Sequence, residues 1–113
     1  MVRIDKLGTS VDGDVRVEFA AWDDDDGLVG TARIENVLRR KPGLVDLYVR
    51  HTHRRLGIGE ALTVAAMEWA REGKDSLYLY VGSDNTKAIN LYEKLDWEHL
   101  GEDDDGDLWM KYP

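Results

Sequence analysis

Val49-Arg50-His51-Thr52-His53-Arg54-Arg55-Leu56-Gly57-Ile58-Gly59-Glu60-Ala61-Leu62 is the stretch in which the hydrophobic period of the chain changes. Upstream of it, Val15, Val17, Phe19 and Ala21 alternate with Arg16, Glu18, Ala20 and Trp22, the two-residue period of a half-buried strand. Downstream, Ile58, Ala61, Leu62, Ala65, Ala66 and Trp69 fall on one stripe of a helix that ends near Gly73. At the junction, Gly57 and Gly59 carry no side chains and let backbone N–H groups approach a ligand. The helix that begins there adds unsatisfied donors and the positive end of its dipole. Arg54 and Arg55 supply charge-assisted bonds. On residues alone, the segment reads either as a pyrophosphate cradle or as a plain strand-to-helix turn. A dinucleotide-binding fingerprint is disfavoured, because its third position requires Gly or Ala and holds Leu62.

Toward the N-terminus, residues 23–27 carry turn chemistry, residues 28–37 form a returning strand, and residues 44–49 form another after the Lys41-Pro42-Gly43 break. Toward the C-terminus, residues 77–81 are a short β-forming run. Ser83-Asp84-Asn85-Thr86 then supplies N-cap residues for a second helix with the stripe Ala88, Leu91, Tyr92 and Leu95. Residues 97–112 read as two strands joined through an acidic tip at 103–106. The order is β-β-β-β-α-β-α-β-β. This predicts an α/β fold: a mixed, mostly antiparallel twisted sheet with two main helices. The strands before and after the first helix are expected to be parallel neighbours whose ends part to leave a cleft. A chain of 113 residues is enough for one such domain, assigned to residues 1–113.

Fifteen basic residues against 23 acidic ones leave a net charge of −8, which repels phosphates and anionic lipid. Nucleic acid and membrane are therefore set aside as partners. The acidic runs at 23–26 and 102–105 adjoin glycines and read as solvated loop tips. A calcium loop would need an aspartate five residues before the glycine, where the chain has Trp22 and Gly101. The absence of cysteine excludes disulfides, a thiolate nucleophile and a cysteine-bearing zinc site, and no metal is expected. Residues 1–6 lack the apolar run of a secretory leader and no stretch is apolar enough to span a bilayer, so a cytoplasmic protein is expected.

Arg54-x-x-Gly57-x-Gly59 resembles the Arg/Gln-x-x-Gly-x-Gly/Ala acyl-CoA pyrophosphate signature of the GNAT superfamily of N-acetyltransferases. The preceding Asp46-Leu47-Tyr48-Val49 is similar to that family's fourth strand. Val81-x-x-x-Asn85-x-x-Ala88-x-x-Leu91-Tyr92-Glu93-Lys94-Leu95 is similar to its fifth strand and fourth helix, where an Asn contacts the cofactor and a Tyr stands near its sulfur. The resemblance covers residues 44–101 and implies acetyl-CoA (coenzyme A) as co-substrate. The implied contacts are Leu47, Tyr48 and Val49 of the strand, Arg54, Arg55, Leu56, Gly57, Ile58, Gly59 and Glu60 of the loop and helix start, and Asn85 and Tyr92.

The chain departs from the family pattern at three places. Asp96-Trp97 replaces the usual Gly-Phe, and aspartate tolerates the left-handed conformation that the turn requires. His51 stands where a proline often follows the fourth strand. Only residues 8–14 separate Leu7 from Val15, where relatives commonly carry two helices that wall the acceptor site. An open acceptor pocket, or one closed by the second subunit of a homodimer, is the expectation.

The resemblance implies direct attack by a small-molecule or protein primary amine on the thioester. Backbone groups around Leu47 and Val49 would face the oxyanion and Tyr92 would serve as general acid to the departing sulfur. Periodicity alone reads Tyr92 as core. Asp46, His51, His53 and Glu18 are candidates for the base, with none preferred. Two rival readings remain: an acyl-CoA-binding or protein-interaction module without turnover, and an acidic surface that binds basic partners.

Overall fold

The computed structural model describes residues 2–11, 14–38, 41–73 and 75–112, with side chains over 2–7, 17–36, 41–73 and 75–112. Strands β1 (Val2–Val11), β2 (Asp14–Asp23), β3 (Gly27–Leu38) and β4 (Lys41–Val49) form an antiparallel meander. A single 3₁₀ turn, His51–His53, leads into helix α1 (Ile58–Glu72). Then follow β5 (Leu77–Gly82), α2 (Thr86–Lys94), β6 (Glu98–Glu102) and β7 (Asp107–Tyr112). The seven strands make one sheet in the order β1-β2-β3-β4-β5-β7-β6, with β4 and β5 parallel as the sequence predicts. The segment read as a connection at 8–14 is largely strand: β1 continues to Val11, opposite Asp14 of β2.

Alternation along β2 sorts the two faces of the meander. Val17, Phe19 and Ala21 are buried beneath α1 together with Ile34 of β3, Leu62 and Ala66. Ile34 and Leu62 are fully enclosed, so truncating either to alanine is expected to cost about 2–5 kcal/mol. The helix crosses the sheet at Gly30, where an added Cβ would lie 3.0 Å from the Tyr48 carbonyl and 3.2 Å from Ile58 and Leu62 side-chain carbons. Only glycine permits that approach.

The buried face of α1 is turned relative to the predicted stripe. Thr63, Met67 and Ala70 join Ile58, Leu62 and Ala66 in the core, while Ala61, Ala65 and Trp69 are half-buried along a groove beside β1. The cause lies beyond the meander: Trp97, which follows α2, reaches back to donate its indole N–H to Met67 Sδ at 3.3 Å. One continuous core thereby spans both halves of the sheet. Thr63 satisfies its hydroxyl on the Gly59 carbonyl at 2.8 Å, one helical turn earlier.

Asp96 takes φ 69°, as the replacement of the usual glycine requires. The chain reverses there through bonds from Asp96 N–H to the Glu93 carbonyl and from Trp97 N–H to the Tyr92 carbonyl. No helix among the described residues is long and apolar enough to cross a membrane.

Candidate active site

β4 and β5 are joined where Gly43 lies opposite Tyr78, and then diverge. A bulge in β4 helps to drive them apart. Tyr48 pairs with Thr31 and Val45 with Arg33, so Asp46 and Leu47 together oppose Ala32. Asp46 absorbs the extra residue at φ 51°. The parting leaves a cleft of 380 Å³ lined by residues 44–47 of β4, residues 79–82 of β5, and Asn85, Ala88 and Tyr92. Backbone N–H and C=O groups of β4 that would otherwise bond a neighbouring strand face this space and call for a ligand or water.

At the end of β4 the chain forms the predicted cradle. Arg55 has φ 66° and Gly57 φ 79°, so two residues of the loop are left-handed before Ile58 buries itself and starts α1. Among the described residues no side chain caps that helix, and its first bond runs from Ala61 N–H to the Gly57 carbonyl. The N–H groups of Ile58, Gly59 and Glu60 are therefore the orphan donors of the first turn. An added Cβ would meet nothing within 4 Å at Gly57, and only Val49 Cγ2 at 3.8 Å at Gly59. The space beside both glycines is open, and a pyrophosphate fits this donor set.

The loop side chains divide their work. Arg54 Nε donates to the Val49 carbonyl at 3.1 Å and braces the loop on the strand it leaves. Arg55 and Leu56 are exposed. Glu60 turns its carboxylate to Lys94 Nζ at 2.9 Å, so only its backbone is free for an anion. Leu47, Asn85 and Tyr92 meet in the cleft, whereas Tyr48 is 53% exposed. Asn85 caps α2 by accepting a bond from Ala88 N–H at 3.3 Å.

Tyr92 is the buried residue of α2, its ring 5.6 Å from that of Trp97. Its hydroxyl makes no hydrogen bond to any described residue, and the ring lines the cleft. Burial pushes the phenol above its ordinary pKa, so it stays protonated at neutral pH.

The four base candidates separate. Asp46 lines the cleft and is ion-paired with Arg33. It also lines a second groove of 270 Å³ on the sheet face away from α1, shared with Glu18, Leu7, Trp22 and Leu28. His51 is exposed on the 3₁₀ turn. His53 is buried, but against the β2–β3 turn: its Nε2 lies 3.0 Å from Asp26 Oδ2 and 3.5 Å from Asp23 Oδ2. These three are types that hold metals and lie within 4.8 Å of one another, yet the imidazole and the carboxylates already satisfy each other. The acidic tips are structured rather than merely solvated, since Asp23 Oδ1 accepts from Asp25 N–H and Asp103 Oδ1 from Asp105 and Asp107 N–H. Sequence reasoning missed Lys94, whose spacing from Glu60 has no local period, and missed the His53 contacts for the same reason.

The chain is similar to known proteins in sequence and in fold. An N-alpha-acetyltransferase of Sulfurisphaera tokodaii is 40% identical over 65 residues, 56% of this chain and 39% of that protein. A mycothiol acetyltransferase of Renibacterium salmoninarum is 38% identical over 58 residues, 50% of this chain and 16% of that protein. The chain thus spans well under half the length of these relatives. Among solved structures, the ribosomal-protein-S18-alanine N-acetyltransferase of Escherichia coli superposes with a TM-score of 0.77 at 21% identity, covering 100% of this chain and 94% of that one. The sequence profile described as "Acetyltransferase (GNAT) family" matches residues 7–97, which contain β2 to β4, the glycine loop and the cleft, and the chain belongs to that family.

Proposed function

We propose that the chain transfers an acetyl group from acetyl-CoA to a primary amine. The observation that carries this reading is the parting of β4 from β5, with Tyr92 lining the gap and orphan helix donors at the end of the same strand. Acetyl-CoA supplies a thioester whose carbonyl carbon accepts the amine nitrogen and whose sulfur leaves. Ile58, Gly59 and Glu60 N–H groups hold the pyrophosphate, and the cleft-facing backbone of β4 around Leu47 and Val49 orients the pantetheine arm and donates to the oxyanion. Tyr92 gives its proton to the sulfur, and the proton that the amine nitrogen loses, passed through water, restores the phenol.

Asp46 joins the cleft to the groove on the outer sheet face, which supports entry of the amine from that side. Asp46 is matched by Arg33 in that groove, and the Glu18 carboxylate along its course favours an acceptor bearing positive charge. The net charge of −8 supports an acceptor other than nucleic acid. Leu7 and Leu28 are 51% and 44% exposed along the same groove, which supports a homodimer whose second subunit walls the acceptor pocket.

Incubation with acetyl-CoA and a panel of diamines, lysine peptides and peptides with free N-termini tests the reading. Free thiol should appear together with a singly acetylated amine by mass spectrometry. Acetyl-CoA binding without thiol release from any acceptor would indicate a binding module instead.

A further inference from the structure

His53 is 7% exposed, and its ring sits between two parts of the chain far apart in sequence. Ionised carboxylates only accept, so Nε2 donates to Asp26 at 3.0 Å. Nδ1 is 2.8 Å from Thr52 Oγ1, which fixes the ring plane. Arg50 reinforces the contact from the same loop: its Nη1 donates to the Asp26 carbonyl at 3.1 Å, and its N–H to the Val29 carbonyl at 2.7 Å. His53 N–H closes the turn on the Arg50 carbonyl at 2.8 Å. The β2–β3 turn is thus strapped to the chain immediately before the glycine loop.

That loop needs external support. Arg55 is held in the left-handed region, a conformation that is costly for a non-glycine residue and persists only where the surroundings impose it. Its downstream side is anchored by buried Ile58. Between the end of β4 and Ile58, His53 is the buried side chain. We propose that His53, held by Asp26, is a positioning residue that keeps residues 54–59 in the anion-binding conformation. The inference rests on reading those residues as the cofactor cradle. A loop that is competent only part of the time weakens apparent affinity by the fraction lost.

Three variants and two measurements test it. Asp26→Ala removes an exposed carboxylate, His53→Leu removes the donor while filling the space, and His53→Gln restores an N–H at the reach of Nε2. Calorimetry should show acetyl-CoA binding weakened about tenfold in the first two and largely restored in the third, as expected if the competent fraction falls to about a tenth. In the free protein, amide exchange over residues 54–59 should accelerate about tenfold in Asp26→Ala while the core of α1 exchanges at the wild-type rate. A generally destabilised protein would instead exchange faster throughout. Wild-type affinity in both Asp26→Ala and His53→Leu would overturn the proposal, as would unchanged exchange over 54–59. Should the wild-type chain itself bind no acetyl-CoA, the cradle reading fails and the positioning role falls with it, an outcome distinct from binding that ignores the strap.

Discussion

Lys94 Nζ lies 2.9 Å from Glu60 Oε1, tying the last turn of α2 to the first turn of α1. Glu60 is the acidic residue of that first turn, where a carboxylate suits the helix dipole but opposes an incoming phosphate. Lys94 offsets the opposing charge. Lys94→Ala should therefore weaken acetyl-CoA binding about 3- to 10-fold at low salt, and less at about 1 M salt, where the Debye length shrinks to about 3 Å. The Lys94 side chain is 67% exposed, so the stability change should stay below about 1 kcal/mol. Titrations at the two salt concentrations check this; equal low-salt affinities would remove Lys94 from the site.

The two loop glycines should respond differently to alanine. Gly59 lies in the helix, and the nearest atom to an added Cβ is Val49 Cγ2 at 3.8 Å. Gly59→Ala should leave stability unchanged or raise it by up to about 1 kcal/mol. Since the family signature admits alanine at this position, Gly59→Ala should keep acetyl-CoA affinity within a few fold, whereas the branched side chain of Gly59→Val should weaken binding at least about tenfold by filling space that the pyrophosphate needs. Gly57 has φ 79°, so Gly57→Ala should cost about 1–2 kcal/mol of stability before any effect on binding. Urea unfolding and calorimetry on the same preparations separate the two effects.

Period and turn chemistry made the architecture legible. The change at Val49 from a two-residue alternation to a helical stripe located the β4–α1 junction, and Asp96 was recognisable as the residue that must turn left-handed. The rotation of α1 was not legible, because Met67 is buried by Trp97, 30 positions away and on no shared period. His53 and Asp26 are 27 positions apart, and nothing local to either signals their contact. The loop, Asn85 and Tyr92 could be read because glycine and capping chemistry act over short range. The charges that tune the loop could not, because they arrive from other elements.

Asp23 links the β2–β3 turn to acid stability. Its carboxyl is held below the ordinary aspartate pKa chiefly by the hydrogen bond from Asp25 N–H, with desolvation opposing the shift and Asp26 N–H reinforcing it. A depressed folded-state pKa means that the stabilisation is present above the unfolded value of about 3.9 and is lost as pH falls through the folded value. Asp23→Asn keeps an acceptor for Asp25 but does not titrate. Wild type should therefore lose stability relative to this variant as pH drops below about 4, and parallel unfolding curves from about pH 5 to pH 2 would refute the assignment.

Tyr92→Phe keeps the ring that packs on Trp97 and deletes only the hydroxyl. That hydroxyl has no hydrogen-bond partner among the described residues, so its loss should change stability by less than about 1 kcal/mol near neutral pH. If it is the proton donor to sulfur, kcat should fall about 10²- to 10⁴-fold with acetyl-CoA affinity unchanged. The sign of its titration adds a second check. Burial raises the folded-state pKa, so the unfolded chain loses this proton first, and wild-type stability should decline as pH rises above about 10. The Phe variant should lack that part of the decline. A drop in kcat of only a few fold would mean that water protonates the thiolate, and wild-type kcat in the Phe variant would reduce Tyr92 to a packing residue. Turnover, cofactor affinity and the alkaline unfolding profile, measured on one preparation, distinguish an acid facing the cleft from a tyrosine that only fills the core.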